Sequence, residues 1–139
     1  MNIDSIKDGF VIDHITAGKG MELYHLLKLE DLDVPVAIIK NAVSNKRGKK
    51  DIIKIDADIP VNLDIIGFAD PGATVNVIKN SVLVEKKDIQ MPEELVNVIK
   101  CKNPRCITSC EQEIKHIFLL KDKEKKVYRC KYCETKAEI

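Results

Sequence analysis

Four of the five cysteines fall in two close pairs, Cys101 and Cys106 in CKNPRC and Cys130 and Cys133 in CKYC. Two thiolate pairs on separate turns can converge into a tetrahedron of sulfurs, the geometry of a structural Zn²⁺ site. Pro104 stiffens the first turn. Lys102, Arg105, Arg129 and Lys131 flank the sulfurs and offset the formal double negative charge of a zinc–tetrathiolate centre. Four sulfurs close the metal's shell, so the pattern points to structural rather than catalytic zinc. Two disulfides, four unrelated thiols and an iron tetrathiolate are the alternatives. Cys110, in TSCEQE, lies beyond the first turn and reads as a small buried or partly exposed thiol.

Elsewhere the chemistry is sparser. There is no GxSxG, no HExxH, no phosphate loop and no paired acids on one strand, so no hydrolytic centre is legible. Of the three histidines, His25 sits in an amphipathic stretch and His116 in a strand. His14 follows Asp13, and that pair is either an ordinary strand pair or a site. Lys50 and Lys54 are four apart on a predicted strand, so they share a face about 13 Å apart. Lys86 and Lys87 end another strand, and Asn76 and Lys79 lie close in sequence. Lysines without arginine forks suit a flexible triphosphate held by point charges; a solvated charged face is the competing reading.

A chain of 139 residues makes one ordinary domain or two small ones. Apolar residues reach 45 % but aromatics only 4 %, so the core must be aliphatic. With 32 % charged residues and no apolar run near the ~20 residues of a spanning helix, a membrane protein is excluded. The opening MNIDSIKDGF lacks a basic and an apolar signal region, which predicts a soluble cytoplasmic protein. Net charge is +1, against broad adhesion to nucleic acid. The charge is uneven: residues 1–92 carry 12 Lys and Arg against 14 Asp and Glu, and residues 93–139 carry 11 against 8.

The elements that must position these groups read as follows. FVIDHIT (10–16) alternates as a strand, with Phe10, Ile12 and His14 on one face. An amphipathic helix follows over 20–29, then a buried strand over 34–42. Gly48 suits a positive-φ turn, and 51–57 returns as a strand. Asp58 and Pro60 predict a second helix start, and 73–80 and 81–87 are strands joined at Asn80-Ser81. This order predicts an α+β, ferredoxin-like antiparallel sheet with two helices, then a small zinc-bound β domain. The domains expected are 1–92 and 93–139, the second opening on a helical connector within 88–100. KHIFLL and KVYRC supply its strands. A unit of about 40 residues buries too little apolar surface to be stable alone, so metal must supply what its core cannot.

VIDHI at 11–15, GKKDIIKI at 48–55, ATVNVI at 73–78 and the two cysteine turns together resemble the aspartate carbamoyltransferase regulatory-chain family. The likeness spans nearly the whole chain. It implies a non-catalytic regulatory subunit of pyrimidine biosynthesis. Its first domain would bind CTP, UTP and ATP at one allosteric site and pair into a regulatory dimer. Its zinc domain would dock on catalytic trimers. By position the resemblance puts Asp13 at the ribose or base side and His14 at the phosphates. Lys50 and Lys54 would contact base, ribose and phosphate oxygens, and Lys86 the triphosphate. Asn76 and Ile78 would line the site, and Ile3, Asp4, Ser5 and Ile6 would close it. The arm before VIDHI is shorter than is usual in the family, Ser81 replaces a larger side chain, often Tyr, and Cys110 is extra. A zinc-ribbon adaptor that binds nucleic acid through KRGKK is the alternative function. An enzyme using Asp13 and His14 as an acid–base pair ranks behind it.

Overall fold

The computed structural model describes residues 6–45 and 48–138. The chain forms two compact units, Met1–Gln90 and Met91–Ile139. In the first unit the elements are β1 (Gly9–Thr16), α1 (Gly20–Leu26), β2 (Val36–Ser44), β3 (Gly48–Ile55), α2 (Leu63–Ala69), β4 (Thr74–Lys79) and β5 (Val82–Asp88). They build one antiparallel sheet in the order β2-β3-β1-β4-β5. The first four strands have the split βαβ arrangement expected, and β5 is added at the edge.

One face of the sheet carries the core. Ile12, Ile15, Ile53, Ile55 and Val75 pack against Leu23 of α1 and Ile66 of α2, all essentially inaccessible. The alternation along β1 does not run through unbroken. Ile12 pairs with Ile53 and Ile15 with Asp51, so Asp13 and His14 form a bulge. His14 takes a positive φ of 58° there. One extra residue flips the pleat, which is why Ile15 is in the core and His14 does not share the face of Ile12. β2 carries a matching bulge between Ile39 and Ala42, with Asn41 at φ 59°.

Two helix boundaries differ from the sequence expectation. The first helix ends at Leu26, and Lys28 at φ 55° leads into a single 3-10 turn over Leu29–Asp31. The second helix starts at Leu63, because Asn62 accepts the Asp64 N–H at 3.0 Å and provides the cap. Asp58 and Pro60 remain in the irregular segment before it. Asn80 and Ser81, at φ 52° and 63°, make the expected two-residue hairpin turn between β4 and β5.

The second unit holds β6 (Glu94–Val96), the short α3 (Ile107–Cys110), β7 (Ile117–Asp122) and β8 (Val127–Cys130), in a three-stranded sheet ordered β6-β7-β8. The helical connector expected within 88–100 is instead strand β6, paired with Ile117–Leu119 of β7. Leu95 is buried between exposed Glu94 and Val96, a period of two. Pairing with β7 overrides the helix-start signal of Pro92-Glu93-Glu94. Leu95, Phe118 and Tyr128 form the small core beside Cys130. Among the described residues no helix is long and apolar enough to cross a membrane.

Candidate functional site

The sheet face opposite the helices of the first unit carries the polar side chains singled out in the sequence. On β3, buried Asp51, Ile53 and Ile55 alternate with partly exposed Lys50, Ile52 and Lys54. Lys50 and Lys54 therefore share the outer face. Cross-strand pairing then sets a row: Lys54 faces Val11 of β1, Val11 faces Asn76 of β4, and Asn76 faces Lys86 of β5. Residues directly opposite in a ladder lie on one face, so Lys54, Asn76 and Lys86 line up across four strands. Lys87 faces Val75 and belongs to the core side instead. Ile78 lies beyond Asn76 on the same face, opposite Gly9.

The bulge end of β1 is held by polar contacts. Lys50 Nζ lies 3.0 Å from Asp13 Oδ1. The His14 N–H donates to the same carboxylate oxygen at 2.6 Å. His14 Nδ1 is 3.1 Å from Thr74 Oγ1. Burial pushes the Asp13 carboxyl up, but the His14 amide and the Lys50 ammonium outweigh it and hold the group below its ordinary 3.8. Thr74 is thus a site residue the sequence reading missed. Its spacing of two from Asn76 was the available signal.

Asn76 Oδ1 is buried and has no hydrogen-bond partner. A buried carbonyl oxygen without a donor costs roughly 1–3 kcal/mol, which a ligand N–H or O–H would relieve. The face as a whole offers ammonium groups over an apolar floor of Val11, Ile52 and Ile78. That chemistry suits a phosphorylated ligand with a planar ring. Among the described residues it offers no activated nucleophile. Ile3, Asp4 and Ser5 lie outside the described residues, and Ile6 is buried. The adjoining Lys7 carbonyl accepts from Ser81 N–H at 2.9 Å, and Asp8 Oδ1 from Asn80 N–H at 3.0 Å. The arm therefore enters β1 beside the β4–β5 turn.

In the second unit the sulfurs of Cys101, Cys106, Cys130 and Cys133 all lie within 4.8 Å of one another. Cys101 and Cys133 are 3.5 Å apart, and Cys106 and Cys130 3.7 Å. A zinc tetrahedron with Zn–S near 2.3 Å has edges of about 3.8 Å, so the four donors fit that ion. Burial and the neighbouring thiols push the Cys101 thiol up to about 12, and burial likewise raises Cys130. Cys133 is also penalised by burial, yet the Thr135 hydroxyl and amide bring it down to about 6. Four thiolates this close repel one another, and a divalent cation removes that penalty. His116 Nδ1 accepts the Cys101 N–H at 3.1 Å and so supports the first turn from outside the cluster. Cys110 is exposed, with its sulfur against the Pro104 carbonyl rather than in the cluster.

A ferredoxin-like sheet with a polar outer face, followed by a tetracysteine unit, defines a two-domain protein with a candidate ligand-binding face and a candidate metal centre. Residues 1–90 match the allosteric domain of the aspartate carbamoyltransferase regulatory chain, and residues 93–139 match its metal binding domain. The chain is 51% identical over 134 residues to the aspartate carbamoyltransferase regulatory chain of Clostridium botulinum, covering 96% of this chain and 92% of that one. It is 48% identical to that of Clostridium acetobutylicum over 134 residues, with the same coverage. Against that of Bifidobacterium longum it is 42% identical over 139 residues, the full length of both. The chain belongs to the aspartate carbamoyltransferase regulatory-chain family, and its role is regulatory rather than catalytic.

Proposed function

We propose that the outer face of the first unit binds the nucleoside triphosphates CTP, UTP and ATP at one site and so tunes aspartate carbamoyltransferase in pyrimidine biosynthesis. The observation that carries this reading is the row Lys54–Val11–Asn76–Lys86, with an unpartnered Asn76 Oδ1 at its centre. Lys86 and His14 hold phosphate oxygens, and Lys50 and Lys54 contact base, ribose and phosphate oxygens. Asp13 meets ribose or base, and Asn76 and Ile78 line the site.

The zinc ion, bound by Cys101, Cys106, Cys130 and Cys133, supplies folding free energy to the small second unit. That unit then docks on catalytic trimers, while the first unit pairs with a second copy, in the cytoplasm. A nucleotide changes catalysis only through a difference in its affinity for two states of the assembly. CTP inhibits by favouring the less active state, UTP reinforces it, and ATP favours the other.

Reconstitution with the catalytic chain tests this reading. CTP and ATP should shift the aspartate saturation curve in opposite directions, and Lys54→Ala should abolish both shifts while the assembly still forms. Nucleotide-insensitive activity in the wild-type assembly would overturn the reading.

A further inference from the structure

Asp51 has no part in the outer face, yet it is completely buried one residue from Lys50. Its Oδ2 accepts the N–H of Gly18 at 3.1 Å and of Gly20 at 2.9 Å, and its Oδ1 accepts the N–H of Asn41 at 3.0 Å. One carboxylate thus ties the β1–α1 loop to the bulge of β2. The pair Ile15–Asp51 is also the first register point after the β1 bulge. Three backbone amides converging on a buried carboxylate satisfy its charge and fix all three segments. Asp70 closes the other side, accepting from Thr16 N–H and, at 3.3 Å, from Gly72 N–H.

We infer that Asp51 is a positioning residue: its carboxylate, gripping Gly18, Gly20 and Asn41 from inside the core, holds the Asp13–His14 bulge in the shape that receives a nucleotide phosphate and ribose on the opposite face. The inference rests on the nucleotide-site reading above. Without the carboxylate, three backbone N–H groups, that of Gly20 buried, lose their acceptor and the loop next to the bulge is released. Asp13 and His14 then lose the geometry set by Lys50 and Thr74. Gly20 belongs to the same device, because a Cβ there would stand 2.8 Å from Asp51 Oδ2. No other residue lets α1 start so close to the carboxylate.

The test is CTP affinity of the zinc-loaded full chain, wild type against Asp51→Asn, with each also made in an Asp13→Ala/His14→Ala background. Wild type must bind CTP; if it does not, the nucleotide-site reading fails rather than this one. Asp51→Asn should weaken binding about tenfold in the wild-type background and less than about twofold when Asp13 and His14 are absent, the non-additivity expected of residues acting through one element. Equal affinity in Asp51→Asn, or the same loss in both backgrounds, would overturn the inference. Should Asp51→Asn fail to fold, Gly20→Ala decides. It keeps the carboxylate, displaces it, and should show the same background-dependent loss; wild-type affinity in Gly20→Ala would then overturn the inference.

Discussion

Lys50 Nζ sits 3.0 Å from Asp13 Oδ1, joining the β1 bulge to the outer face of β3. The pair fixes a carboxylate next to the His14 amide and keeps the bulge folded toward the lysines. Because Asp13 is held below its ordinary 3.8 in the folded chain, its contribution to stability is complete above that pH. It is lost as pH falls through the folded value. The melting temperature of wild type should therefore exceed that of Asp13→Asn at neutral pH, with the difference shrinking to nothing in acid. Thermal unfolding of both from pH 7 to below 3 checks this; a constant difference would contradict it.

Asn76 gives a prediction with two signs. Its buried Oδ1 has no donor, so truncation removes an unsatisfied group from the free chain. Asn76→Ala should leave thermal stability unchanged or slightly raised, yet weaken CTP binding about tenfold. A variant that melts well below wild type would show that Asn76 serves the fold and not a ligand.

The proposed zinc site predicts that the second unit folds only with metal. Its core is little more than Leu95, Ile99, Phe118 and Tyr128 around the thiols. Structural zinc contributes roughly 10–16 kcal/mol in comparable small sites, more than such a core can supply. Stripping zinc with a mercurial reagent, or changing Cys106→Ser, should abolish amide-exchange protection in β7 and β8. Protection in β1 and β3 of the first unit should remain.

Cys110 is the control for that experiment. Its exposed sulfur contacts the Pro104 carbonyl and stands outside the cluster. Cys110→Ser should retain one zinc per chain and wild-type protection of β7 and β8. Loss of zinc in this variant would assign the thiol to the metal.

Much of this was legible in the residues. The two cysteine turns announced their own convergence, because paired thiols at these spacings have few other uses in a small charged domain. The strand order followed from hydrophobic alternation, and Asn80-Ser81 marked its hairpin. The bulge at Asp13–His14 was not legible, since one inserted residue leaves composition and local propensity untouched while inverting the pleat. It is also what carries His14 away from the core. Asp51 was hidden for a related reason: an aspartate opening a strand reads as a polar turn residue until the amides of Gly18, Gly20 and Asn41 are seen around it. The strand at Glu94–Val96 was masked by a strong helix-start signal that only its partner β7 overrules.

The most direct measurement is a calorimetric titration of the zinc-loaded chain with CTP at physiological Mg²⁺, run on wild type, Lys54→Ala and Lys86→Ala. Saturable binding without hydrolysis in wild type, weakened about tenfold in each variant, is the result expected of a row of ammonium groups holding phosphates. No saturable heat in wild type, or equal affinity in all three chains, would contradict it.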